Sequence, residues 1–335
     1  MLKYMVQSQP WYYSLPPDAF SRYFIVESVL KKIFGPKPIA ILDVGGQDNS
    51  LWAMIKNDNL PYDLTVLDIL PANESSKNYH YIIGDALKME FIDNSFDAVI
   101  STDVLEHIPD KSKETFINQC LRVAKDLVII AAPFHSDDSN YSEQLANNFY
   151  KKLFGRNHKW LAEHFKANKP KKEVLENLLR SKKVKFAFVG NNNLENWLLT
   201  ILPNLLSEKV TINKKSLENL NSYFNMNLFE LNDLGPKGYR SFYIISKKNT
   251  INLDFVKLLK NKNDLDKIIK FKEMILNLFT EEIIRRDKII KDLNNLVTLK
   301  QKEINNLSKT LQQIYNSRTY KLSSTLRRFK NLPGS

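Results

Sequence analysis

Three stretches of this chain run from apolar residues into a carboxylate or a glycine turn: IAILDVGG at 39–46, LTVLDI at 64–69 and FDAVISTDVLEHIP at 96–109. YHYIIGDAL (79–87) and LVIIAAPF (127–134) are two further runs of the same kind. Runs so nearly all apolar read as strands covered on both faces. Helical patterns lie between most of them, notably SLWAMIKND and KETFINQCLRVAK. Strands that alternate with helices imply an α/β fold with a parallel, doubly wound sheet. Such a sheet binds ligands beyond the C-terminal ends of its strands, where these carboxylates and glycines stand.

The elements around this core follow from spacing. Residues 18–34 carry apolar groups at helical intervals, with Asp18 near the start as a cap and Gly35-Pro36 as the stop. After Phe134 the chain turns polar and helical, and 135–182 reads as an insertion that forms a lid. KVKFAFVG (183–190) is a sixth strand, LENWLLTILPNLLS (194–207) a buried or cleft-facing helix, and GYRSFYIISKK (238–248) the last strand. The first domain is placed at 1–249, with its core at 18–249.

Beyond it the periodicity changes to seven. Leu276, Ile283, Ile290, Val297, Ile304 and Leu311 recur as one seam position, and Phe279, Leu293, Leu307 and Ile314 as its companion, interrupted by Arg286 and Lys300. No Pro or Gly breaks 255–315. This is the pattern of a long α-helical coiled coil over 250–315, and β-branched residues at the first position favour a parallel dimer through 269–314. From Ile269 to Ile314 such a helix spans about 70 Å. The remaining 316–335 is a short basic amphipathic tail, with five basic and no acidic residues.

A single cysteine, Cys120, excludes an internal disulfide and fits a reducing compartment. The N-terminus shows no signal-peptide pattern and no window is apolar enough to span a membrane, so a cytoplasmic location is expected. The net charge of +12 points to an acidic partner, and an AT-rich genome that favours Lys, Asn and Ile codons is an equally good account of most of it.

The segment Asp43-Val44-Gly45-Gly46-Gln47-Asp48-Asn49 resembles the D/E-x-G-x-G-x-G turn of the class I S-adenosylmethionine-dependent methyltransferases, over roughly 18–249. The resemblance implies a Rossmann-like sheet of the seven-stranded methyltransferase type, with S-adenosylmethionine as cofactor. It implies that Asp43, Gly45, Gly46 and Asn49 form the cofactor turn and that Asp68 accepts hydrogen bonds from the ribose hydroxyls. It places Asp85 and Ala86 at the adenine, and Glu106 in STDVLEHIP on the sulfonium side. The chain departs from the pattern at Gln47 and Asn49. Asn tolerates the left-handed backbone region better than most residues, so Asn49 is a workable substitute. A nicotinamide-binding sheet would show G-x-G-x-x-G, which residues 45–50 do not.

Methyl transfer to an oxygen needs in-line placement of the nucleophile and removal of its proton. The candidate bases are His107, His135, His158 and His164. Trp160 and His164, within NNFYKKLFGRNHKWLAEHF, are candidate acceptor contacts on a lid helix. His158 and His164 are not an i, i+4 pair, so no metal is expected. That cluster resembles an H-x-W-L-x-E-H stretch of methyltransferases encoded with bacterial surface-glycan genes. The tail resembles the closing motif of enzymes from the same pathways. The expected function is therefore O-methylation of a sugar in cell-surface polysaccharide biosynthesis. The acceptor is a sugar or glycan, and residues 316–333 touch an anionic membrane at its inner face. The altered turn supports a second reading, a catalytically impaired scaffold that recruits glycan-assembly partners through its coil, although the intact Asp68, Asp85 and Glu106 argue against it. Nucleic acid is a poor acceptor, because the D/N-P-P-Y/F type of motif is missing and AAPF (131–134) is not an equivalent.

Overall fold

The structure, a computed structural model, describes residues 10–46, 50–72, 79–166, 169–208, 212–235, 238–248, 251–254, 264–319 and 321–323. A helical turn at Trp11–Ser14 leads into helix α1 (Pro17–Phe34), followed by β1 (Ile39–Val44), α2 (Ser50–Asn57), β2 (Tyr62–Asp68), β3 (His80–Ile83) and β4 (Phe96–Thr102). Then come a turn of 3-10 helix at Leu105–His107, α3 (Asp110–Val123), β5 (Ala124–Pro133), α4 (Asp137–Phe154), α5 (Lys159–Lys166) and α6 (Lys172–Ser181). The remainder is β6 (Lys185–Asn191), α7 (Leu194–Ser207), α8 (Lys214–Asn227), β7 (Leu234–Gly235), β8 (Arg240–Ser246) and α9 (Leu265–Asn316).

The strands form one sheet in the order β3-β2-β1-β4-β5-β8-β6-β7. The first five are mutually parallel, as the alternating sequence predicts. The sheet is doubly wound, as expected, and two details add to the seven strands read from the sequence. β8 lies antiparallel between β5 and β6, and a two-residue β7 adds an eighth strand. Nothing in the apolar character of β8 encodes its direction, since a strand buried on both faces reads alike from either end.

The centre of the sheet is the core. Every residue of β5 except Lys125 is buried, and all of β8 is buried. Phe116, Ile117 and Cys120 of α3 pack on it from one side, together with Leu175 and Leu179 of α6. At about 1.5–3 kcal/mol for each fully buried Val, Leu, Ile or Phe, this cluster dominates the stability of the sheet.

Helix α1 forms where the spacing places it, but its cap is corrected. The N-cap is Pro16, with no side-chain cap bond, and Asp18 lies inside the first turn. Its carboxylate instead accepts hydrogen bonds from Asn192 Nδ2 (2.9 Å) and Arg240 Nη2 (3.1 Å). The chain divides into two compact units, one ending at Leu278 and the other starting at Phe279. In the first, the start of α9 buries Phe271, whose ring lies 5.2 Å from that of Phe224. In the second, the helix leaves its heptad residues Ile283, Ile290, Leu293, Val297, Ile304, Leu307, Leu311 and Ile314 each more than half exposed. No helix among the described residues is long and apolar enough to cross a membrane. Tyr320 and residues 324–335 of the tail lie outside the described residues, as do 255–263.

Candidate active site

The turn after β1 is built around two glycines that a larger residue could replace only by displacing a neighbouring side chain. Gly45 has φ +80° and donates its N–H to Leu67 O at 2.7 Å, and a Cβ there would stand 2.2 Å from Val104 Cγ2. At Gly46 a Cβ would stand 2.2 Å from Asp43 Oδ2, so the buried Asp43 carboxylate lies directly beneath the turn. Asn49 falls outside the described residues.

Neighbouring strand ends complete this edge. Register pairs Val44 with Leu67 and Asp68 with Ile83, so Asp68 emerges one strand away from the turn. Its Oδ1 accepts the Leu70 N–H at 2.9 Å. Asp85 is exposed and its Oδ1 accepts the Leu87 N–H at 2.8 Å, while Ala86 packs against the core. The three acids thus sit on adjacent strand ends in the order the sequence requires.

Beyond β4 the site becomes strongly charged. Asp103 takes φ +56°, which turns its carboxylate toward two arginines. Arg240, 2% exposed, donates from Nε to its Oδ1 at 2.6 Å, and Arg22 forms an ion pair with it at 3.5 Å. Burial disfavours the Asp103 carboxylate, but Arg240 and Arg22 outweigh it and hold its pKa below the usual value. Arg240 reaches this edge because β8 is antiparallel. The start of β8 meets the ends of β4 and β5, and pairs Arg240 with Pro133.

Glu106 is 1% exposed, and neither carboxylate oxygen has a hydrogen-bond partner among the described residues. Burial, and then repulsion from Asp103, push its carboxyl well above the usual range. The next side chain, His107, has its ring 5.6 Å from that of His164. Partial desolvation of its ring and then His164 lower its pKa, although the residue as a whole is exposed. His164 is in turn tied to the buried Glu143, whose Oε1 lies 2.9 Å from Nδ1. Lys169 Nζ donates to Glu143 Oε2 at 2.6 Å, and Tyr239 donates its hydroxyl to Oε1 at 2.7 Å. Despite burial, the His164 bond and Lys169 keep the Glu143 carboxyl below its ordinary value.

A cleft of about 1450 Å³ adjoins this network and is lined by Leu105, His135, Asn140, His164 and Lys169, among others. His135 and His164 therefore meet at one cavity, with His107 beside them. His158 and Trp160 do not line it. His158 is buried, with Nε2 3.1 Å from Glu208 Oε1 and its ring against Tyr150. Trp160, 62% exposed, lies edge-on to His158 at 5.3 Å. The expectation that the 147–165 cluster faces one acceptor is thus corrected, because α5 turns His164 inward and Trp160 outward. Sequence reasoning passed over Asp103, Glu143, Lys169, Tyr239 and Arg240. Glu143 had a legible signal, a carboxylate on the apolar face of an amphipathic helix.

Residues 42–131 match the family described as "Methyltransferase domain". The matched residues run from β1 to β5. Over 65 residues, 19% of this chain, the sequence is 40% identical to ajmaline N-methyltransferase of Rauvolfia serpentina, and the match spans 22% of that relative's length. Among solved structures, the plantazolicin methyltransferase BpumL, in complex with SAH, is similar at TM-score 0.44 and 16% identity, covering 70% of this chain and 85% of that one. Magnesium protoporphyrin IX methyltransferase from Synechocystis PCC 6803, with bound SAH, is similar at 0.40 and 12%, covering 71% and 84%. At those values the likeness says nothing about what this chain binds.

Proposed function

We propose that this chain is an S-adenosylmethionine-dependent O-methyltransferase acting on a sugar hydroxyl in cell-surface polysaccharide biosynthesis. The observation that carries the cofactor is the edge itself: a turn with no room for a side chain at Gly45 or Gly46, followed by Asp68 and Asp85 on successive strand ends. A carboxylate such as Asp68 suits a vicinal diol, since its oxygens accept two donors at once. Asp85 and the Ala86 N–H would hold the adenine. When bound, the cofactor supplies an electrophilic methyl group. The chain's own part is to exclude water, align the acceptor in the cleft and remove the hydroxyl proton, for which His135 on the cleft wall is the assigned base.

The glycan acceptor is supported by the size of the cleft and by the Asn, Gln and Lys side chains that share its wall with apolar residues, a mixture that suits a sugar's hydroxyls and ring face. The exposed heptad seam supports a homodimer through 269–314. The basic tail supports a contact with anionic lipid at the inner face of the membrane. The test is calorimetric titration of S-adenosylmethionine into the full chain and its Asp68→Ala variant. Micromolar binding that the variant loses is expected. Absence of binding to the wild-type chain would instead favour the scaffold reading.

A further inference from the structure

Three side chains from distant parts of the sequence converge beside the cofactor edge. Glu106 and His107 leave the turn after β4, and His164 projects from α5. A carboxylate oxygen and one ring nitrogen from each histidine all lie within 4.8 Å of one another. We propose that Glu106, His107 and His164 bind a first-row divalent transition cation, such as zinc or manganese.

Two independent features point the same way. Glu106 is 1% exposed and neither carboxyl oxygen has a hydrogen-bond partner among the described residues, so a buried acid stands in the cluster with its oxygens unsatisfied. A bound cation would favour the ionised form of that acid and satisfy its oxygens. His164 also has the support that metal-bound histidines carry. Its Nδ1 lies 2.9 Å from Glu143 Oε1, which fixes the tautomer and leaves Nε2 with its lone pair. Glu143 is itself held by Lys169 and Tyr239.

The donor set selects the ion. Two imidazoles and one carboxylate suit borderline first-row cations, whereas Mg²⁺ and Ca²⁺ prefer all-oxygen shells. With bonds of about 2.1 Å, tetrahedral ligands stand roughly 3.4 Å apart, so binding draws together three atoms that already lie within 4.8 Å of one another. Three protein ligands leave one position open, and His164 also lines the cleft. A cation there would touch an acceptor hydroxyl and make it more acidic. This role in activating the acceptor rests on the methyltransferase reading, but binding of the ion does not.

The test uses the full chain, stripped with a chelator and titrated with Co²⁺ while visible d–d absorption is followed, with Zn²⁺ as competitor. One tightly bound Co²⁺ per chain, displaced by Zn²⁺, is expected. Glu106→Gln and His107→Asn should each weaken binding at least tenfold, Glu143→Gln by about tenfold through loss of orientation, and His80→Asn not at all. His107 is exposed, so its variant keeps the test valid if Glu106→Gln fails to fold, as circular dichroism would reveal. Wild-type protein without d–d bands at millimolar Co²⁺, or binding untouched by His107→Asn, would overturn the proposal. Calorimetry with S-adenosylmethionine on the same metal-free protein separates the two readings. Cofactor binding without cobalt binding sinks the cation site alone.

Discussion

Arg240 offers the sharpest test of how the charged edge is held. It is 2% exposed and donates to Asp103, and it also pairs with Asp18 at 3.1 Å. Arg240→Met keeps most of the apolar stem but leaves the Asp103 carboxylate with only Arg22, at 3.5 Å. Breaking a buried ion pair from one side costs about 3–5 kcal/mol. At about 2–4 °C per kcal/mol for a domain of this size, Tm should fall by roughly 10 °C. Because the Asp103 pKa lies below its unfolded value, the pair stabilises the fold above the unfolded pKa and is lost as pH falls through the folded one. The penalty of Arg240→Met should therefore be full at pH 7 and shrink toward zero in acid. Urea unfolding of the wild type, Arg240→Met, Asp103→Asn and the double variant, at pH 7 and at a series of pH values descending from the unfolded Asp pKa of about 3.9, measures both claims. A loss below about 0.5 kcal/mol at pH 7, or additive single effects, would refute the reasoning.

Other outcomes follow from single features. Gly45→Ala should lose clearly more stability than Gly155→Ala. Both positions have positive φ, but Gly155 has open space around it while Gly45 faces Val104; equal thermal shifts would remove the steric argument. Burial pushes Asp233 up to about 7, against hydrogen bonds from Asn196, Asn192 and Asn193. A raised acid binds its proton more tightly when folded, so stability should decline as pH rises from about 4 to about 7, by an amount on the order of 4 kcal/mol. An Asp233→Asn variant with the same pH slope would show that the donors win. Val297→Asp should convert a dimer to a monomer in sedimentation, and a wild-type chain that is monomeric at high micromolar concentration would end that proposal.

Much of the sheet was legible because its information is local. β1, β2, β4 and β5 each announce themselves as an apolar run, and the turn and carboxylates at their ends come with them. The charged network was not legible, because its partners are far apart in sequence. Asp18 looked like a helix cap, since nothing near it names Arg240 or Asn192 as its mates. His107 and His164 each stand out in the sequence, yet spacing relates His164 only to His158. The helical face that turns His164 toward Glu143 and Trp160 toward solvent depends on where α5 lands on α4.

The placement of β8 has a consequence for how the chain is made. β5 is a ten-residue strand, nearly all buried, and its outer neighbour is not synthesised until after α7 and α8. Until Arg240–Ser246 leaves the ribosome, that apolar edge has no strand to pair with, and Asp103 lacks its principal cation. The nascent chain thus carries a sticky flank through more than a hundred residues of elongation, the kind of exposure that draws chaperones or invites pairing with another chain.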